Sequence, residues 1–288
     1  MIAIHFRKGE EAASFYDALR LVKKKQDFEI ERHFSPENII RIHCGGQSVR
    51  GLHTWLIPIM RTFIVTTVEN RWMQQMIRQM FYFTDEEEQE QILSIARSLL
   101  DGEKEDVIYQ QRISKQRTHI DLIEEALQNF LTPNISFSFE SFLHFRLKEY
   151  QERLFVTVEA AIDEYKLEQE YQAFVEHLRH YLSEKPPLYW ELHVVDEEEF
   201  QVFLPSGSVI ERERLLQLID EELWRMNDLD AGASVIAPLI SIAPARLYIY
   251  TNEPDRGVVR TLQNIFLERI SIHAKRNWGS LKQTRIDS

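Results

Sequence analysis

Apolar residues recur at helical spacing through the middle of the chain, most regularly between residues 139 and 182. This segment contains no glycine and no proline, and it lies between Pro133 and Pro186. Steps of three or four residues place side chains on one face of a helix. The residues connected by such steps are Leu147, Tyr150, Leu154, Val158, Ala161 and Tyr165, and then Tyr171, Phe174, Leu178, Tyr181 and Leu182. Because residues 166–170 carry one apolar side chain, we expect a bend there or two helices meeting end to end.

The two ends of the chain have shorter apolar runs, which are typical of strands separated by turns. Residues 1–50 are predicted as β-α-β-β, with the strands at 2–6, 29–34 and 39–44. Past Pro187, paired strands are predicted at 188–195 and 199–204, helices at 208–226, 229–242 and 254–267, and further strands at 246–250 and 270–273.

These patterns predict an α+β protein that is mostly helical, with a central helical bundle and a small mixed β-sheet. The predicted regions are a β-α-β-β segment at 1–50, a helical domain at 51–186, an α/β segment at 187–275 and a basic tail at 276–288. Isolated hairpins are marginally stable in water. We therefore expect the N- and C-terminal segments to pack together and build one shared sheet.

Composition limits the classes of function. Of the 288 residues, 44% are hydrophobic, which fits a globular protein. The net charge of −12 disfavours general binding to nucleic acid or anionic membranes, since such binding needs clustered positive charge. The single cysteine, Cys44, excludes an internal disulfide and a multi-cysteine zinc site. We recognise no secretion signal and no membrane span, so we expect a cytoplasmic protein.

The turn at residues 45–51 is the most suggestive motif for chemistry, because it follows a predicted strand and precedes a helix. Backbone N–H groups in such a turn can hold an anion, and the candidate residues are Gly45, Gly46, Ser48 and Arg50. The turn lacks the GK[ST] of a phosphate-binding loop and the GxGxxG of a dinucleotide fold. The alternative is a plain strand-to-helix connection whose glycines adopt positive φ.

Catalytic and metal-binding patterns are not recognisable elsewhere. His177 and His180 are three residues apart, but neither an HExxH nor a Glu-x-x-His motif accompanies them. The acidic runs are typical of solvated helix faces. We therefore assign no catalytic residue, no metal ligand and no cofactor, and we expect a non-enzymatic protein.

The residues around Phe145 have two interpretations. Phe145 and Leu147 are two apart, so both cannot lie at the centre of one helical stripe. One of them can face outward with Arg146 and Lys148 and offer a surface to a partner, since aromatic and arginine side chains are favoured at such sites. The alternative is a helix that is buried on two sides.

Several short motifs carry a resemblance to a known family. They are FRLKEY at residues 145–150, DEY at 163–165, EYQAF at 170–174 and LISIAP at 239–244. On these motifs the chain resembles the YtxC-like family, which is associated with sporulation in endospore-forming bacteria. The resemblance implies a role in sporulation, and it supplies no reaction, cofactor or catalytic residue.

Three functions therefore remain open. The leading one is a binding or scaffold protein that acts on an unknown protein partner or as a homo-oligomer. The second is a phosphate- or nucleotide-binding protein or enzyme that uses the turn at 45–51. The third is a nucleic-acid-associated factor, because Arg269, Lys275, Arg276, Lys282 and Arg285 accompany Trp278 near the C-terminus. The net charge disfavours this third function, because binding to phosphate groups needs clustered positive charge.

Overall fold

The computed structural model describes residues 1–23, 28–33, 37–43, 49–102, 117–225 and 235–279. The chain divides into two compact units, Met1–Leu167 and Glu168–Ser288. The class is α+β and mostly helical, as the sequence predicts. In the described part of the chain, no helix is long and apolar enough to cross a membrane.

The first unit contains a four-stranded sheet with the order β2-β3-β1-β4. Strand β1 runs antiparallel to β3, with Ile4 opposite Ile40, and parallel to β4, with Ile4 opposite Phe137. Ile4 and Ile40 are fully buried, so this face of the sheet belongs to the core. The strands are β1 (Ile2–His5), β2 (Glu29–His33), β3 (Ile39–His43) and β4 (Ser136–Ser138).

Helices pack on this sheet through a cluster of aromatic rings. Phe6 lies 5.6 Å from Phe15 and 5.0 Å from Phe139, measured between ring centroids, and Phe63 lies 5.1 Å from Phe15. Such tilted and edge-on pairs add to the free energy of burial. The helices are α1 (Gly9–Lys23), α2 (Val49–Phe63), α3 (Asn70–Gln75), α4 (Glu86–Leu100), α5 (His119–Phe130) and α6 (Phe139–Arg146), and two π-helical turns (Ile64–Glu69 and Met76–Met80) flank α3.

Helix α7 (Lys148–Glu184) is continuous through residues 166–170, where we predicted a bend or a break. The helical segment breaks earlier, at Leu147, whose φ of −105° and ψ of 27° end α6. Residues 166–170 are all exposed, and the boundary between the two units falls after Leu167. The apolar stripe is therefore interrupted because this part of α7 faces water, and the backbone remains helical.

The second unit contains a five-stranded sheet with the order β7-β6-β5-β8-β9. Strand β5 pairs antiparallel with β6 and parallel with β8, and β8 pairs parallel with β9. The strands are β5 (Glu191–Asp196), β6 (Phe200–Phe203), β7 (Val209–Ile210), β8 (Arg246–Thr251) and β9 (Ile270–Ala274). The helices are α8 (Arg212–Gln217), α9 (Glu221–Trp224), α10 (Ile236–Ile242) and α11 (Gly257–Phe266).

Two features differ from the sequence-based expectation. The described strands form two sheets in place of one sheet shared by residues 1–50 and 187–275. Strand β4 occupies the edge of β1, and β8 and β9 extend the sheet from β5, so each unit completes its own sheet. The helix predicted at residues 208–226 is instead the strand β7 followed by two short helices.

Candidate functional site

Phe145 lies on the surface of the first unit, with 73% of the residue exposed. The neighbouring Leu147 is 1% exposed and belongs to the core. Leu147 has non-helical dihedral angles, so the chain turns between α6 and α7, with Phe145 in water and Leu147 in the core. Other large apolar side chains are also exposed, among them Tyr82 at 79% and Trp190 at 69%, so exposure alone does not distinguish Phe145. The exposed ring offers apolar area that a partner can bury.

Two cationic residues, Arg146 and Lys148, follow Phe145 in the chain. The guanidinium of Arg146 lies 5.6 Å from the ring centroid of Phe130, which fixes its position beside the turn. The side chain of Lys148 is 80% exposed, and its ammonium lies 3.8 Å from Glu152. Such a solvated pair contributes only a few tenths of a kcal/mol, so Lys148 can exchange partners at little cost. We call Phe145, Arg146 and Lys148 the Phe145 surface; partner binding by these residues remains a prediction.

An apolar groove of about 950 Å³ lies in the second unit, along the edge of its sheet. Strand β7 is only two residues long, so it covers little of β6 and leaves Val209 43% exposed. The groove residues that supply apolar surface come from β6, β7, α8, α10 and α11. They include Phe200, Val209, Ile210, Leu215, Leu216, Pro238 and Val258.

The groove continues into an acidic cleft of about 700 Å³ at the carboxyl ends of β5 and β8. Parallel strands end at the same edge of a sheet, and this edge is where ligands bind in many α/β proteins. The acidic turn after β5 supplies Glu197, Glu198 and Glu199, and Glu253 follows β8. Groove and cleft together are lined by six carboxylates and three cationic side chains, so their combined surface is negative.

Asp196 connects the cleft to the groove. Its side chain is 6% exposed and accepts hydrogen bonds from the Thr251 hydroxyl, at 2.7 Å, and from the Arg256 guanidinium. These bonds hold Arg256 with its guanidinium 4.9 Å from the ring centroid of Phe200, which lines the groove. From the sequence, residues 196–198 are predicted only as a hairpin turn between two strands. The contacts of Asp196 are not predicted, because its partners Thr251 and Arg256 are more than fifty residues away.

A buried polar cluster lies in the core of the first unit. The Tyr150 hydroxyl donates a hydrogen bond to Oε2 of Glu69, and Nε2 of His119 lies 3.9 Å from the same oxygen. Burial raises the pKa of Glu69 above its ordinary value, lowers the pKa of His119 and raises the pKa of Tyr150. His119 is therefore neutral near pH 7. The cluster joins the first π-helical turn, α5 and α7, and each member is less than a tenth exposed.

The other candidate residues are not brought into a site. Gly45, Gly46 and Ser48 lie outside the described residues, as does the side chain of Arg50, so anion binding there stays a prediction. His180 lies 3.6 Å from Glu184 and is exposed. Among the described residues, no three His, Cys, Asp or Glu side chains are grouped to hold a metal ion.

The described part of the basic tail folds back onto the second unit. The Lys275 ammonium lies 3.6 Å from Glu197, and the Trp278 ring packs 4.8 Å from Phe203 and 5.1 Å from Tyr250. Two of the residues that suggested nucleic-acid contact are therefore in contact with this unit. Lys282 and Arg285 lie outside the described residues.

Comparison with known proteins identifies the family of this chain. Residues 54–271 match the profile of the YtxC-like family. Over 273 residues the chain is 35% identical to the uncharacterised protein YtxC of Bacillus subtilis (strain 168), and this alignment covers 94% of each chain. No solved structure matches. The profile covers most of the chain and the similarity to the relative extends over nearly all of it, so the chain belongs to the YtxC-like family.

Proposed function

We propose that this chain is a cytoplasmic, non-enzymatic binding protein of the sporulation programme, and that the Phe145 surface contacts its partner. The observation that carries the proposal is the exposure of Phe145, 73%, at the turn before α7, where the cationic residues Arg146 and Lys148 follow it in the chain. The association of the YtxC-like family with sporulation supplies the biological context of the proposal.

The physical basis is the free energy that the Phe145 ring gains on burial. Transferring a phenylalanine side chain from water into an apolar site stabilises a complex by roughly 1.5–3 kcal/mol. Arginine beside an aromatic ring is a common composition for the few residues that dominate an interface. The cations add specificity, since a partner must place acidic or polar groups opposite them.

The experiment replaces the gene by a Phe145→Ala variant in the bacterium that encodes the chain, and counts heat-resistant spores. We expect a clear loss of spores with an unchanged amount of folded protein. The matched control is Leu167→Ala, which truncates another exposed apolar side chain, 62% exposed, and should leave the spore count unchanged. Equal spore counts for Phe145→Ala and the unmodified chain would overturn the proposal.

A further inference from the structure

We propose that the Phe145 surface docks into the groove and acidic cleft of a second copy of this chain. The inference rests on the proposed function and names the partner of the same surface. Each copy then carries one donor surface, in residues 1–167, and one acceptor surface, in residues 168–279.

The first reason is that the two surfaces match in polarity. The donor is the exposed Phe145 ring together with the exposed cations Arg146 and Lys148, which follow it in the sequence. The acceptor has an apolar lining, which includes Val209 and Leu216, beside an acidic cleft. An aromatic side chain buries about 150–250 Å² on insertion, and the groove of about 950 Å³ has room for this ring and the chain that carries it.

The second reason is the arrangement of charge around the groove. Glu198 and Glu211 line it, and neither carboxylate has an ion-pair partner among the described residues. Glu211 precedes α8 without a side-chain hydrogen bond to the helix N-terminus. Arg146 and Lys148 of a second copy would supply the cations that these two carboxylates lack. The two carboxylates therefore favour a partner surface with cationic side chains over one that is acidic or neutral.

The third reason is the state of the donor cations. Within the described part of the chain, Lys148 has only the solvated contact with Glu152, and Arg146 contacts the face of Phe130. Both can therefore form new ion pairs without breaking a buried one. Because every copy has both surfaces, the pairing can close reciprocally in a dimer or continue into a longer assembly.

The test is a charge exchange in the full chain, followed by light scattering behind size exclusion over a range of concentrations. One variant reverses the donor, Arg146→Glu with Lys148→Glu, and the other reverses the acceptor, Glu198→Lys with Glu211→Lys. We expect the unmodified chain to self-associate. Each variant alone should associate more weakly, with a dissociation constant about tenfold higher or more than that of the unmodified chain, since opposed like charges cost several kcal/mol at an interface.

Mixing the two variants is the decisive step. The acidic donor of one variant then faces the basic acceptor of the other, and the basic donor faces the acidic acceptor. Association should return in the mixture, with both chains in equal amounts. All four substituted positions are exposed, so circular dichroism should report an unchanged fold for both variants.

Three results would overturn the self-docking: an unmodified chain that is monomeric at every concentration, variants that associate like the unmodified chain, or a mixture that does not recover. The oligomeric state tests the self-docking, and the spore count tests the proposed function, so the two can fail separately. If Phe145→Ala lowers the spore count while the chain stays monomeric, the Phe145 surface binds a different protein. If the chain self-associates but Phe145→Ala leaves sporulation intact, the docking stands without the biological role.

Discussion

The hydroxyl of Tyr150 donates a hydrogen bond to the carboxyl group of Glu69, inside the core of the first unit. Glu69 ends the π-helical turn Ile64–Glu69, and Tyr150 lies in the first turn of α7. A π-helical turn widens the helix locally and is frequent at functional sites. In this protein, the turn places Glu69 where its buried carboxyl group forms a hydrogen bond with α7.

Replacing Tyr150 by Phe tests the strength of this contact. The buried Glu69 carboxyl then loses its hydrogen-bond donor, and we expect the free energy of unfolding to fall by about 1–3 kcal/mol. Denaturant unfolding measures this change. The matched control is Tyr165→Phe in the same helix, whose hydroxyl donates at 3.2 Å to the half-buried Glu88. Water can replace that donor, so the loss should stay below about 1 kcal/mol. Equal losses would contradict a special role for Glu69.

Glu69 also predicts a pH dependence of stability. Burial raises its pKa above the ordinary 4.5, so the folded state holds the proton at a pH where the unfolded state has released it. The stabilisation from this proton is fully present below about 4.5 and is lost as the pH rises through the folded-state pKa. Glu69→Gln removes the titration, so its stability relative to the unmodified chain should rise across this window.

The comparison must separate His119, which titrates in the opposite sense. Burial lowers its pKa below 6.5, so the unfolded state binds the proton more readily and stability rises with pH up to about that value. Nε2 of His119 lies 3.9 Å from the Glu69 carboxyl, so its titration changes when Glu69 is replaced. The quantity to report is therefore the effect of Glu69→Gln at each pH in a chain that also carries His119→Gln. A difference that is constant from pH 4 to pH 8 would refute the buried, pKa-shifted carboxyl.

Much of the fold follows from local pattern. The long helix and the strand predicted at residues 246–250 both have a periodicity that a single sequence displays. The structure places that strand at Arg246–Thr251. Strand β4 could not be predicted, because three residues between two helices give no alternation, and only pairing with β1 defines it.

The candidate surfaces were less predictable, for a physical reason. The exposure of Phe145 depends on the break at Leu147, and nothing in the FRLKEY motif marks that residue as non-helical. The acidic turn after β5 was visible in the sequence, but its contact with Arg256 requires the parallel pairing of β5 with β8. Contacts of this kind arise from the topology of the sheet, which short-range pattern does not encode.

The Asp196–Arg256 contact predicts a measurable contribution to the second unit. Among the described residues, Arg256→Ala leaves the buried Asp196 carboxylate with only the Thr251 hydroxyl as a donor. We therefore expect a loss of about 1–2 kcal/mol, reduced by the partial exposure of Arg256. Arg225→Ala is the control, since it removes an exposed pair with Glu221 and should cost less than about 0.5 kcal/mol. Thermal unfolding compares them, and equal shifts would argue against a structural role for Asp196.

Helix α7 offers the clearest contrast between a buried and an exposed leucine. Leu154 is fully buried in the core of the first unit, and Leu167 is 62% exposed on the same helix. Leu154→Ala removes buried methyl groups and leaves a cavity, so we expect a loss of about 2–5 kcal/mol in the free energy of unfolding. Leu167→Ala should change it by less than about 0.5 kcal/mol, because alanine is a good helix former and no core contact is lost.

Denaturant titration followed by circular dichroism measures both leucine variants under one condition. The sequence pattern assigns the two residues to different environments only because Leu154 continues the three- and four-residue steps and Leu167 stands alone among polar residues. If both substitutions cost the same, the stripe from Tyr150 to Tyr165 would not be what holds α7 in the first unit. A large loss for Leu154 alone would instead locate the stability of that unit along this stripe, with the exposed middle of the helix contributing little.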